Sequence, residues 1–169
     1  MIRYPIFILG FMAAGKSSLA PKLARALGVK CIDLDQYVEH SVQQSIEQIF
    51  NSKGEEGFRR LEHQQLRTMK PGQKNVVALG GGTPAFEDNM RYVNATGTSI
   101  YLQQRPEILI GRLRQQKAQR PLLKGLNEAE IADFVKDLLA KRAPYYSQAD
   151  YCIDGEKVKL KELIQLLNV

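Results

Sequence analysis

The chain lacks the features that would take it out of the ordinary globular proteins. No apolar run approaches the roughly eighteen residues a membrane-crossing helix needs, so no membrane partner is expected. The N-terminal stretch MIRYPIFILGF is apolar, but a glycine-rich motif follows it where a signal peptide would carry an A-x-A-like cleavage site. The stretch is therefore read as a mature strand. Cysteine is scarce. Cys31 and Cys152 are too few for a disulfide framework and have no metal-ligand spacing, which fits reduced thiols in the cytoplasm. There is no internal repeat, no linker and no N-K-x-D guanine motif of a GTPase switch. With 44% apolar and 25% charged residues, disordered, collagen-like and coiled-coil chains are excluded. The 169 residues make one domain, 1–169, long enough to bury a core.

Charge is present in excess of one sign: 24 basic against 18 acidic residues, a net +6. A basic balance can mean nucleic acid, yet almost all of the excess is local. Arg105, Arg112, Arg114, Lys117, Arg120 and Lys124 lie within twenty residues that hold only Glu107. One compact cluster suits a small polyanion such as a nucleotide better than a long duplex, so no nucleic-acid partner is expected. A solvated basic face is the plainer alternative.

Strand and helix patterns alternate along the chain. Strands are expected at 5–9, 30–34, 75–79, 99–102 and 151–154. Helices are expected at 16–27, from a capping box at Ser45 and Gln48 through Phe50, at 55–69, 87–93, 106–113, 127–142 and 160–167. This alternation predicts an α/β fold: a three-layer α/β/α sandwich around a five-stranded parallel sheet, with ligands at the carboxyl ends of the strands. Residues 115–125 form a polar loop between two helices and read as a lid or a plain surface loop.

Residues 10–17 read G-x-x-x-x-G-K-S between a predicted strand and a predicted helix. That context is the one in which the motif cradles a nucleoside triphosphate. Backbone N–H groups of Ala13, Ala14, Gly15 and Ser18, with the positive end of the helix, converge on phosphate oxygens. Lys16 reaches the β and γ phosphates, and Ser17 ligates Mg²⁺. The cradle leaves the reaction open.

Three other clusters bear on the acceptor. Asp33 and Asp35 end the second strand, where alternation puts both carboxylates on one side; the alternative is a helix cap, to which Asp35 is the more exposed. Gly80, Gly81 and Gly82 end the third strand and permit close approach of a ligand, or make a tight turn. Arg59, Arg120 and Arg142 stand in loop or helix-end settings, and each could fork a carboxylate or phosphate or form a surface salt bridge.

Taken together, these residues resemble the shikimate kinase family. The matching positions are GFMxAGKS at 10–17, D-L-D at 33–35, G-E-x-x-F-R-x-x-E over Gly54 to Glu62, the glycines at 80–82, R-P-L-L at 120–123, and R-x-P-x-Y at Arg142, Pro144 and Tyr146. They occur in the family's order across nearly the whole chain. Position 13 departs, being Ala where the family usually has Gly.

The resemblance implies a P-loop kinase with a phosphate loop at 10–17, an acceptor-binding segment at about 33–62 and a lid at about 112–125. It implies phosphoryl transfer from MgATP to the 3-hydroxyl of shikimate, in a monomer. By position, Lys16 and Arg120 stabilise the transferred phosphoryl, Ser17 binds Mg²⁺ directly and Asp33 through water, and Asp35 holds the acceptor hydroxyl. Arg59 and Arg142 clamp the shikimate carboxylate, Gly81 donates a backbone N–H, and Glu62 steadies the two arginines. Arg112 or Arg114 stacks on adenine, with Arg112 favoured. Gluconate or nucleotide kinases share the cradle, and a non-catalytic nucleotide-binding module is a further alternative.

Overall fold

Ile6–Leu9 (β1) is apolar at every position and wholly buried. A strand of that kind must be covered on both faces, which only the middle of a helix-sheathed parallel sheet provides. The computed structural model places it there, in a five-stranded sheet. The other strands are Lys30–Asp33 (β2), Asn75–Ala78 (β3), Thr98–Gln103 (β4) and Tyr151–Asp154 (β5). Their order is β2-β3-β1-β4-β5, and every pairing is parallel. The structure describes residues 2–167; Met1, Asn168 and Val169, the ends of the domain expected over 1–169, lie outside the described residues.

Because β1 has β3 on one side and β4 on the other, the chain changes direction across the sheet at the carboxyl end of β1. Ligand crevices open at such a point. Lys16–Leu27 (α1) starts there and stops at Gly28, whose left-handed backbone (φ 66) donates to Arg25 O.

The expected strands and most helices are present, with instructive differences. Leu34–Val42 (α2) is a helix that the strand pattern did not reveal. The helices expected at 45–50 and 55–69 are one kinked element, Ile46–Leu66 (α3). Ser45 and Gln48 form its capping box, and Gly54 (φ 68, ψ −176) makes the kink. Asn89–Thr96 (α4) begins two residues later than expected, because Glu87 has a left-handed backbone (φ 46) that cannot start a helix. Pro106–Gln115 (α5) opens on its proline as expected. Two short 3-10 turns follow at 117–119 and 121–123. Glu128–Tyr146 (α6) runs past Pro144 instead of ending near Arg142. The proline lacks one helical N–H, and burial of Tyr146 beyond it offsets that loss. Leu160–Leu166 (α7) closes the described fold.

The main core lies between the sheet and its helices. A second, small apolar cluster of Val38, Ile49 and Phe58 joins α2 to α3 apart from it. This cluster holds one wall of the crevice. Among the described residues, no helix is long and apolar enough to cross a membrane.

Candidate active site

The loop after β1 wraps into α1 through two left-handed residues, Ala13 (φ 62) and Gly15 (φ 106). Gly15 adopts this freely. Ala13 does so at a cost of about 1 kcal/mol or more, which locates the sequence departure at a position suited to glycine. Lys16 folds back on its own loop, its Nζ donating to Gly10 O and Phe11 O, both at 2.8 Å. Burial lowers its pKa to about 8; Asp35 opposes the fall, and Arg120 and Arg142 add to it. Ser17 and Ser18 are exposed at the mouth.

This loop lines a cavity of about 600 Å³ together with Asp33, Asp35, Arg112 and Arg120. Arg112 lies over the loop, its Nη1 donating to Ala13 O at 2.9 Å. Arg114 turns away to Glu128 O. Of the two arginines left open by the sequence, Arg112 is the one at the phosphate-loop cavity.

A second cavity, about 1030 Å³, is walled by α2 and α3, the glycines and the segment after α5. Arg59, Gly82 and Arg142 line it. Met12, Asp35, Gly80, Gly81 and Arg120 line both cavities. The two spaces therefore meet at a thioether, a carboxylate, two glycines and a guanidinium.

Asp33 and Asp35 do face one space, but not by strand alternation. Asp33 ends β2, and its Oδ1 accepts from Asp35 N (3.0 Å) and Gln36 N (3.3 Å). Asp33 is thus the cap of α2, and the helix turn carries Asp35 inward. This corrects the expectation that Asp35 was the residue more open to a capping role. Asp35 Oδ1 is buried without a hydrogen-bond partner. Burial pushes its pKa up to about 6; Glu62 and Asp33 add to the rise, and Lys16 and Arg59 oppose it.

The two arginines of the second cavity differ. Arg59 Nη1 donates to Glu62 Oε2 at 2.5 Å, and Nη2 meets Glu55 Oε1 at 3.4 Å. Burial works against its charge, but Glu62 and Glu55 outweigh it and hold the guanidinium above its ordinary value. Arg142 is 4% exposed, and its Nη1 has no partner. Burial lowers its pKa, and Arg59 acts the same way. Glu62 bonds Arg59 and Thr83 (2.6 Å) and has no hydrogen bond to Arg142. The expectation that it steadies both arginines is corrected to one, since the remaining oxygen is taken by Thr83. Arg142 lies on a helix, with Tyr146 one turn on. Arg120 stands between the two 3-10 turns, its Nε buried and unpartnered.

Gly80 and Gly82 leave no room for a side chain. A Cβ on Gly82 would stand 2.4 Å from the Arg59 guanidinium carbon, and one on Gly80 2.2 Å from Glu62 Oε1. Gly81 O accepts from Tyr146 Oη at 2.5 Å, which turns the tyrosine of the R-x-P-x-Y motif into an anchor for the glycine loop. Sequence reasoning missed that role, and it missed Thr83. The only signals were the tyrosine's place in the motif and the threonine's place directly after the glycines.

A family model described as shikimate kinase matches residues 12–167. A shikimate kinase from Bacteroides thetaiotaomicron is 39% identical over a 172-residue alignment that covers 95% of this chain and 98% of that protein. The 1.7 Å crystal structure of shikimate kinase from the same organism superposes with a TM-score of 0.88 at 38% identity, over 97% of this chain and 98% of that one. A shikimate kinase from Acinetobacter baumannii in complex with shikimate gives a TM-score of 0.83 at 30% identity, over 96% and 89%.

Proposed function

The chain belongs to the shikimate kinase family, and from that premise we propose that it transfers the γ-phosphoryl group of MgATP to the 3-hydroxyl of shikimate. The products are shikimate 3-phosphate and ADP, on the route to chorismate and the aromatic amino acids. The observation that carries this reading is the junction of two cavities at Asp35 and Arg120, with two buried guanidiniums on the acceptor side. A neutral polyol has no use for two buried cations. An acceptor with a carboxylate does, and the unpartnered Arg142 Nη1 has a hydrogen bond to give it.

Lys16 leaves Gly10 O and Phe11 O to bond phosphate oxygens, exchanging two carbonyl acceptors for charged ones. The dianionic neighbourhood restores its full charge. Arg120 brings a free Nε to the transferred group. Phosphoryl transfer has a loose transition state, so charge placement and alignment dominate over base strength. Asp35 accordingly orients the attacking hydroxyl through Oδ1 and receives its proton late. Arg59, Arg142 and the Gly81 N–H hold the acceptor ring.

The metal residues fit magnesium. Ser17 Oγ is exposed at the first cavity, and both capping bonds of Asp33 fall on Oδ1, so a hydroxyl and a carboxylate oxygen form a hard donor pair. Ser17 would hold the ion directly and Asp33 through water. When bound, the ion neutralises charge on the β and γ phosphates.

Residues 112–125 act as the lid that brings Arg120 down on the phosphates and excludes water, with Gly125 (φ 88) as its hinge. The protein works as a monomer in the cytoplasm, on small molecules and without nucleic acid. Exposed large apolar side chains among the described residues are confined to Tyr37 and Leu166, and both cysteines are free. The test is ADP release from MgATP with shikimate, gluconate, CMP and AMP compared side by side. Shikimate alone should support fast turnover; a preference for gluconate or a nucleotide would reject the reading.

A further inference from the structure

Arg59 can clamp a carboxylate only if its guanidinium is held at a fixed angle to the cavity. Its strongest hold is Glu62, which is wholly buried. A buried carboxylate keeps one orientation only when both oxygens are bonded. Glu62 Oε2 takes Arg59. Oε1 takes the hydroxyl of Thr83 at 2.6 Å, across 21 positions of sequence. Thr83 is itself wholly buried and lines neither cavity. Its carbonyl accepts from Asn89 Nδ2 at 2.8 Å, and Asn89 Oδ1 accepts from Arg67 at 3.0 Å. A line of hydrogen bonds thus enters from the outer end of α3 and ends on the guanidinium in the site.

Space around Glu62 is tight on its cavity side. Glu62 Oε1, Thr83 Oγ1 and Asp35 Oδ1 all lie within 3.0 Å of the point a Gly80 Cβ would occupy. If the hydroxyl were lost, Oε1 would be a buried acceptor with no donor. The nearest relief is rotation toward Arg59, which would turn the guanidinium off its present angle against Gly82.

We infer that Thr83 is a positioning residue for acceptor binding: its hydroxyl locks Glu62, and Glu62 aims Arg59 at the acceptor carboxylate. This rests on the reading of shikimate as the acceptor.

The experiment measures initial rates and ADP affinity for the full chain carrying Thr83→Val or Thr83→Ser. Thr83→Val should raise the shikimate KM by about tenfold to a hundredfold, the value of a hydrogen bond to a charged group. kcat should move less than KM, and ATP KM and ADP affinity should hold. Thr83→Ser, which restores the donor, should recover most of the shikimate KM. If Thr83→Val does not fold, Asn89→Ala takes its place and should show the same split in weaker form. An unmoved shikimate KM, an equal rise in ATP KM, or a serine variant as poor as the valine one would overturn the inference. If the unaltered protein released no ADP with shikimate, the acceptor reading would fall, and this inference with it. Normal turnover with an unmoved Thr83→Val leaves that reading intact and removes Thr83 alone.

Discussion

Replacing Asp35 with Asn should make the protein more stable and much slower. The carboxylate sits among groups that oppose its charge: burial first, then Glu62 and Asp33. Its pKa is raised from 3.8 to about 6. A carboxyl whose pKa is raised by folding favours the folded state below its unfolded pKa, and that contribution is lost as pH rises through the folded value. At pH 8 the ionised Asp35 therefore costs the free protein about 3 kcal/mol, from roughly two pKa units at about 1.4 kcal/mol each. Asn keeps the shape without the charge. It loses no cap, because Asp33 and not Asp35 bonds the first turn of α2. For a chain of this size the gain corresponds to roughly 5–10 °C in melting temperature. It should be full at pH 7–8 and should shrink to a small fraction by pH 4, close to the ordinary value of 3.8 at which the unfolded chain also takes up the proton. Turnover should drop about ten to ten-thousandfold, since the hydroxyl loses both the favouring charge and the proton acceptor. Melting curves from pH 4 to 8 and steady-state rates on the same variant check both halves. A destabilised variant, a gain independent of pH, or unchanged turnover would refute the argument.

Other outcomes follow from the same geometry. Arg59→Ala and Arg142→Ala should each weaken shikimate binding by about 2–5 kcal/mol while calorimetric ADP affinity stays put, Arg142 being the cation with a guanidinium nitrogen left unpartnered. Trypsin should cut after Arg114, Lys117 or Lys124 in the free protein and much more slowly with an ATP analogue plus shikimate; equal cutting would argue against a moving lid. Ala13→Gly should raise stability by about 1 kcal/mol or less, the relief of left-handed alanine minus the entropy of glycine, as read from thermal melts with nucleotide affinity alongside.

Much of this was legible in the sequence where the chemistry is local. The phosphate loop is eight consecutive residues with a strand before and a helix after, so its position and partners follow from chain order. The capping box at Ser45 and Gln48 is equally local and is intact. The reading failed where one short pattern fits two structures. Asp33-Leu34-Asp35 satisfies strand alternation, but the first carboxylate caps the helix that begins at the next residue. Gly54 looks like a boundary between helices and is a kink inside one. Pro144 looks like a stop, yet the buried Tyr146 carries α6 past it. The partnership of Glu62 with Thr83 and of Tyr146 with Gly81 was beyond reach, because each joins positions far apart in the chain through a packing that no local pattern encodes.

The role proposed for the two cavities meeting at Asp35 is to join a phosphoryl donor to a shikimate hydroxyl. Its most direct test is the product. Incubation with MgATP and shikimate, followed by ³¹P NMR and mass analysis, should show one phosphomonoester at the 3-position of the ring, formed mole for mole with ADP. ADP accompanied by inorganic phosphate alone, or a phosphate on another hydroxyl, would contradict the account.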